Sequence, residues 1–223
     1  MIRILLLSLV GFAVQTSMRA QSALEELSGF DTERLRRCYP VTDTNQASEM
    51  AKLLYRVDRV SEASMKALTA SEIPSPTAVS GLAVGEAVSI DGTIHRVRGY
   101  RVPESLVEFL DLEEFREVQI DPRAPAGVPA AESASSVRYA VFVPKVPSKL
   151  ALGDRVSCRA FVISTQKSPG EDAIAVAMVA PKLSWFPAKT ERLGWELLRD
   201  RGVDLALLSE LVERDRQPLR EAD

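Results

Sequence analysis

The chain has 223 residues, 46% of them hydrophobic and 26% charged, with a formal net charge of −3, the composition of an ordinary globular protein holding one large domain or one small domain with helical extensions. Acids and bases are interspersed, and residues 80–187 carry 12 Lys+Arg against 13 Asp+Glu. That balance argues against a basic nucleic-acid-binding domain, whose affinity comes largely from phosphate neutralisation.

Met1-Ile2-Arg3 is a short positive start, Ile4–Val14 an apolar run of eleven residues, and Gln15-Thr16-Ser17 a polar spacer before Met18-Arg19-Ala20. This is the plan of a signal peptide over 1–20 with cleavage near Ala20, although Met18 is larger than the residue preferred two places before it. The run falls short of the about 20 residues a membrane span needs. The expectation is a periplasmic or secreted protein, with an uncleaved anchor or a buried helix as the alternatives. Two cysteines, Cys38 and Cys158, remain after cleavage. In an oxidising compartment they can pair. The plainer expectation is a buried Cys158 on an alternating strand and a loop thiol at Cys38.

Residues 21–78 read as an N-terminal helical segment ending in a Pro-rich linker. A short helical patch covers Ser22–Leu27, a turn falls at Tyr39-Pro40, and Arg34, Arg36 and Arg37 form a small solvated basic cluster. Met50, Leu53, Leu54, Val57, Val60, Met65 and Leu68 recur at helical spacing over 46–69, with Asn45 as the expected cap and Ser61 able to start a second helix. Ile73-Pro74-Ser75-Pro76-Thr77 is the predicted boundary, since two prolines bar both helix and central strand.

Residues 79–187 read as the β part. Val88–Val102 is a long first strand with Gly92 and Gly99 inside it, the mark of a bulge or of tight coiling. A short helix or irregular excursion over Leu106–Leu112 precedes a second strand, Glu114–Ile120. After the Ala/Pro/Ser-rich stretch Pro122–Ser136, strands follow at Val137–Val143, Arg155–Ser164 and Ala173–Val179, and Trp185-Phe186-Pro187 ends the sheet. One feature organises them. Leu150–Ile163 (LALGDRVSCRAFVI) echoes Leu82–Ile94 (LAVGEAVSIDGTI) 68 positions earlier. Each has an apolar approach, a Gly-acid turn and a strand start.

Five strands in this order, with Val88–Ile94 first and Leu152-Gly153-Asp154-Arg155-Val156 entering the fourth, resemble the OB-fold, a five-stranded Greek-key barrel. The resemblance covers about half the chain. The family's helix between strands three and four has no counterpart, because Pro144–Lys149 is too short and proline-rich. The expected fold is α+β: a small OB-like barrel flanked by N-terminal helices and by a C-terminal helical hairpin in 188–223. In that hairpin Thr190 and Asp204 are the expected caps and Arg201-Gly202 the expected stop. The tail GVDLALLSELVERDRQPLREAD, residues 202–223, also looks like the C-terminal stretch of a group of secreted bacterial proteins, a likeness that implies no activity.

His95 is the only histidine, and no motif supports it as a catalytic base or zinc ligand. Glu104, Glu108, Asp111, Glu113, Glu114 and Glu117 lack the spacing of a Ca²⁺ loop and read as a solvated face. The sharpest candidate is the basic and aromatic strand Arg96–Arg101. Alternation puts Arg96, Arg98 and Tyr100 on one face, with His95 and Arg101 on the other. OB-type barrels bind single strands through stacking and positive charge, so Arg96, Arg98 and Tyr100, joined by Tyr139 and Phe142 of the neighbouring strand, are the expected ligand-binding residues. Cross-strand pairing of the arginines with Glu114 or Glu117 is the plainer account. The resulting expectation is a non-catalytic binding or scaffolding protein of the cell envelope. It needs no cofactor, and its partner is an envelope protein or a small ligand. A single-stranded nucleic-acid binder is the alternative.

Overall fold

The computed structural model describes residues 24–69, 82–123, 137–165 and 174–188, with 198, 201–202, 204 and 207 beyond them. The signal-peptide and linker expectations lie outside these residues. The chain divides into two compact units, Met1–Phe186 and Pro187–Asp223. In the second, Gly202 takes the left-handed conformation (φ +78°) after Leu198, and the Leu207 N–H donates to Asp204 Oδ1 at 3.3 Å. Those are the stop and the cap expected there. The remainder of the predicted hairpin lies outside the described residues.

Residues 24–26 are helical. Three helices follow, α1 (Thr32–Arg37), α2 (Thr44–Val57) and α3 (Glu62–Leu68). Asp43 rather than Asn45 caps α2, accepting from the Gln46 N–H at 2.8 Å. Of two cap-competent residues, the earlier one brings two more residues into the helix. The run does divide at Ser61, whose hydroxyl accepts from the Ser64 N–H at 3.0 Å. Met50, Leu53, Leu54 and Val57 are the buried stripe of α2.

The strands are β1 (Ala87–Arg101), β2 (Glu114–Pro122), β3 (Val137–Val143), β4 (Arg155–Ser164), β5 (Ile174–Val179) and β6 (Ser184–Phe186), with α4 (Glu104–Leu110) between β1 and β2. They form a six-stranded mixed sheet in the order β1-β2-β3-β5-β4-β6, with a further β1–β4 pairing. The first five strands therefore hydrogen-bond in a closed cycle. Every junction is antiparallel except β3–β5, which is parallel. Where Trp185-Phe186-Pro187 is expected to end the sheet, Ser184–Phe186 instead adds a short strand beside β4.

The echoed segments pair with each other. Ile90 and Cys158, themselves 68 positions apart, are register partners, so the two segments run antiparallel about a local two-fold at that pair. Their turns match in detail. Gly85 and Gly153 take φ values of +89° and +83°, a conformation that favours glycine. The following acid closes each turn: Glu86 accepts from the Ala83 N–H at 3.0 Å and Asp154 from the Ala151 N–H at 2.9 Å. The Gly85 N–H then donates to the Val162 carbonyl at 2.7 Å, and the Gly153 N–H to the Ile94 carbonyl at 2.9 Å. Even the bulges correspond, between Ile94 and Arg96 against β2 and between Val162 and Ser164 against β5.

Two apolar clusters form the core. One draws alternate residues from all five strands of the cycle, among them Val88, Ile90, Val118, Val141, Val156, Val162 and Met178. The other joins the opposite side of the strands (Phe115, Phe142, Phe161, Ile163, Val179) to Leu35, Met50, Leu53, Leu54 and Met65 of the helices. Helices and sheet thus share one interior across the expected Pro-rich boundary.

Candidate binding face on the first two strands

The strand Arg96–Arg101 gains its orientation from the bulge. Ile94 opposes Ile120 and Arg96 opposes Gln119, which leaves His95 as the extra residue. Past it, Arg98 opposes Glu117 and Tyr100 opposes Phe115. An inserted residue breaks strict alternation. His95 therefore departs from its expected place beside Arg101 and reaches Asp121 on the outer side of β2, Nδ1 to Oδ2 at 3.1 Å. The same Asp121 accepts from Arg138 Nε of β3 at 2.9 Å.

Glu117 sits at the centre of this surface and is only 2% exposed. Grouped by sequence with a solvated acidic face, it is instead covered by its neighbours and fully engaged. The Tyr100 hydroxyl donates to Oε2 at 2.7 Å, Gln119 Nε2 donates to Oε1 at 2.8 Å, and Arg98 Nη1 lies 3.9 Å from Oε1. A buried carboxylate persists only with donors of this kind around it. Burial, reinforced by the Glu117 carboxylate, pushes the Tyr100 phenol well above its ordinary range. It stays a protonated donor at every physiological pH. The plainer account of the arginines thus holds at Arg98, while Glu114 pairs with Arg116 and is the register partner of Arg101.

Of the five expected ligand-binding residues, the structure brings only three to this surface. Arg96 is exposed, Arg98 partly so, and Tyr100 half-buried. Phe142 does meet Tyr100, with ring centroids 6.1 Å apart, but within an aromatic cluster with Tyr39 and Phe115, where it is 0% exposed. The helices lie over that part of β3. Tyr139 points to the opposite side, in the cluster shared by all five strands, and its burial pushes the phenol up to about 12. Neither ring is a stacking platform. Sequence reasoning missed Gln119 and Asp121; a Glu-Val-Gln-Ile-Asp alternation in a central strand was the available signal.

Cys38 and Cys158 are free thiols buried in different clusters. Burial raises each to about 12, so neither supplies a thiolate at neutral pH. The alternative of a bridge between them is not realised. Among the described residues, no group of three or more His, Cys, Asp and Glu is placed to hold a metal ion, and no helix is long and apolar enough to cross a membrane. The surface that remains is a row of guanidinium groups, Arg96, Arg98 and Arg138, with His95 among them and a buried, hydrogen-bonded carboxylate beneath. Guanidinium planes of this kind hold anionic or flat groups in fixed directions. No protein-family model and no curated protein matches the chain.

Proposed function

We propose that this is a non-catalytic binding or scaffolding protein of the cell envelope, built on an OB-like five-stranded barrel and exported by its N-terminal segment. The closed cycle of pairings and a core cluster fed by alternate residues of all five strands support the barrel. The observation that carries the binding role is the division of the outer surface. Helices cover the β4–β5 side, whereas Arg96 and His95 stand exposed, and Arg98 and Arg138 partly so, on a sector of β1–β3. A surface row of charge in which Arg98 lies beside the buried Glu117, and His95 and Arg138 share Asp121, suits recognition.

The test has two parts. The intact mass of protein recovered from its native envelope fraction is expected to start at Gln21; a full-length mass from the cytosol overturns the export reading. Affinity capture from envelope extract, compared between the native chain and Arg96→Ala/Arg98→Ala, is expected to lose specific partners in the variant. The same pair distinguishes the second reading, single-stranded nucleic-acid binding, which the guanidinium row favours. Micromolar or tighter oligonucleotide affinity that falls steeply with salt and disappears in the variant would replace the envelope-partner reading.

A further inference from the structure

Ser89 and Ser157 are equivalent positions within the echoed segments, and the binding face described above uses neither. They flank the Ile90–Cys158 pair on adjacent strands, Ser89 opposite Arg159 and Ser157 opposite Asp91. The local two-fold therefore delivers two equivalent hydroxyls to one place. Together with Ser184 of β6 they line a cavity of about 300 Å³, the lower end of the range for small-molecule sites. None of the three hydroxyls has a hydrogen bond among the described residues.

The charges around this cavity break the symmetry. Asp91, the counterpart of Arg159, is held by Arg155 through Nε at 3.0 Å and Nη2 at 2.6 Å. Arg159 has a looser arrangement: Glu62 of α3 lies 4.0 Å from its Nη1 while bonding Lys182 Nζ at 2.7 Å. The Glu62 side chain is 66% exposed. An ion pair in that position contributes little in water and exchanges readily. One wall is apolar, made by Val60, Met65 and Pro181. A second carboxylate, the exposed Asp58, also lines the cavity. Two cations, three hydroxyls and an apolar wall are thus gathered beside two carboxylates, of which Glu62 is the one on the cations.

We propose that this cavity binds a small organic carboxylate with a short apolar body. The ligand's carboxylate takes the place of Glu62 on Lys182 and Arg159, the hydroxyls of Ser89 and Ser157 donate to it, and its apolar part lies on Val60 and Met65. Glu62 acts as a tethered competitor. The site lies on the β1–β4 junction, away from Arg96 and Arg98, so its failure and that of the binding-face reading are separately visible.

Amide NMR titration of the full chain with acetate, butyrate, hexanoate and inorganic phosphate tests this. Shifts centred on Ser89, Ser157 and Arg159 are expected, with butyrate tighter than acetate and phosphate weakest. Glu62→Gln is expected to tighten butyrate binding severalfold, and Arg159→Ala to weaken it about tenfold, the scale of one charge-assisted hydrogen bond. Ser157→Ala, a minimal change in a surface hydroxyl, is expected to weaken binding without altering the rest of the spectrum. Unchanged affinity in Glu62→Gln or in Arg159→Ala overturns the proposal. Phosphate binding as tightly as butyrate also overturns it, because the apolar wall then plays no part.

Discussion

The β1–β2 and β4–β5 pairs are built to one plan and finished differently. Shifted by 68 positions, Val88, Ile90 and Ile94 correspond to Val156, Cys158 and Val162, and all six are buried in the shared cluster. On the outer side the correspondence fails: Thr93 matches Phe161 and His95 matches Ile163. Thr93 and His95 are exposed, whereas Phe161 and Ile163 are 0% exposed. The inner requirement is set by the strand cycle and is therefore common to both. The outer one depends on what lies above, helix in one case and water in the other. The uncovered pair is thus the one whose outer side chains are not fixed by packing against the helices.

The comparison breaks most sharply by truncation. Phe161→Ala is expected to cost about 3–5 kcal/mol, a fully buried aromatic lost beneath the helices, and Thr93→Ala less than about 0.5 kcal/mol. Denaturant unfolding of the two variants checks this, and similar losses would mean that the two outer sides are equivalent. Next in size is the buried carboxylate of the uncovered side. Glu117→Ala leaves the Tyr100 hydroxyl and the Gln119 amide without their acceptor, for a loss of about 1–3 kcal/mol. A double-mutant cycle with Tyr100→Phe is expected to show coupling above about 0.5 kcal/mol.

A smaller effect sits among the covering helices. Arg34 donates to Glu49 at 2.7 Å, and that bond holds the Glu49 carboxyl below its ordinary value. A folded pKa below the unfolded one stabilises the fold above the ordinary carboxylate range, and the contribution disappears as pH falls through the lower folded value. Glu49→Gln should therefore flatten the acid limb of the stability profile by at most about 1 kcal/mol, measured by unfolding at stepped pH. Smallest in energy is the state of the thiols. An aromatic disulfide reagent is expected to titrate no thiol in the native chain and both Cys38 and Cys158 after denaturation. One fast-reacting thiol would contradict the burial of its cluster.

Much of this was legible because it is local. Val137–Val143 and Arg155–Ser164 announce themselves by β-branched alternation, and both strands have those bounds. The Gly-acid echo marked two turns with left-handed glycines. Ser61 marked the break between helices. The short strand at Ser184–Phe186 was beyond reach, since three residues carry no period. The binding face was legible only in part. Arg96, Arg98 and Tyr100 share a side as alternation requires, but nothing local says that helices cover Phe142, that Tyr139 faces the other way, or that one extra residue at His95 turns it toward Asp121. Cover is a tertiary property.

The pairing of the two echoed segments bears on the order in which the chain can acquire structure. Ala87–Thr93 of β1 finds its register partners in Arg155–Phe161 of β4, more than sixty residues downstream. Contacts so distant in sequence require a large loop to close before they return any stabilisation, which slows folding. During synthesis the first half of β1 is an unpaired apolar edge until β4 emerges, the kind of edge that recruits other chains. A fragment ending before Arg155 would retain that edge permanently and should aggregate. Whatever escorts the nascent chain has the Leu82–Ile94 segment to shield.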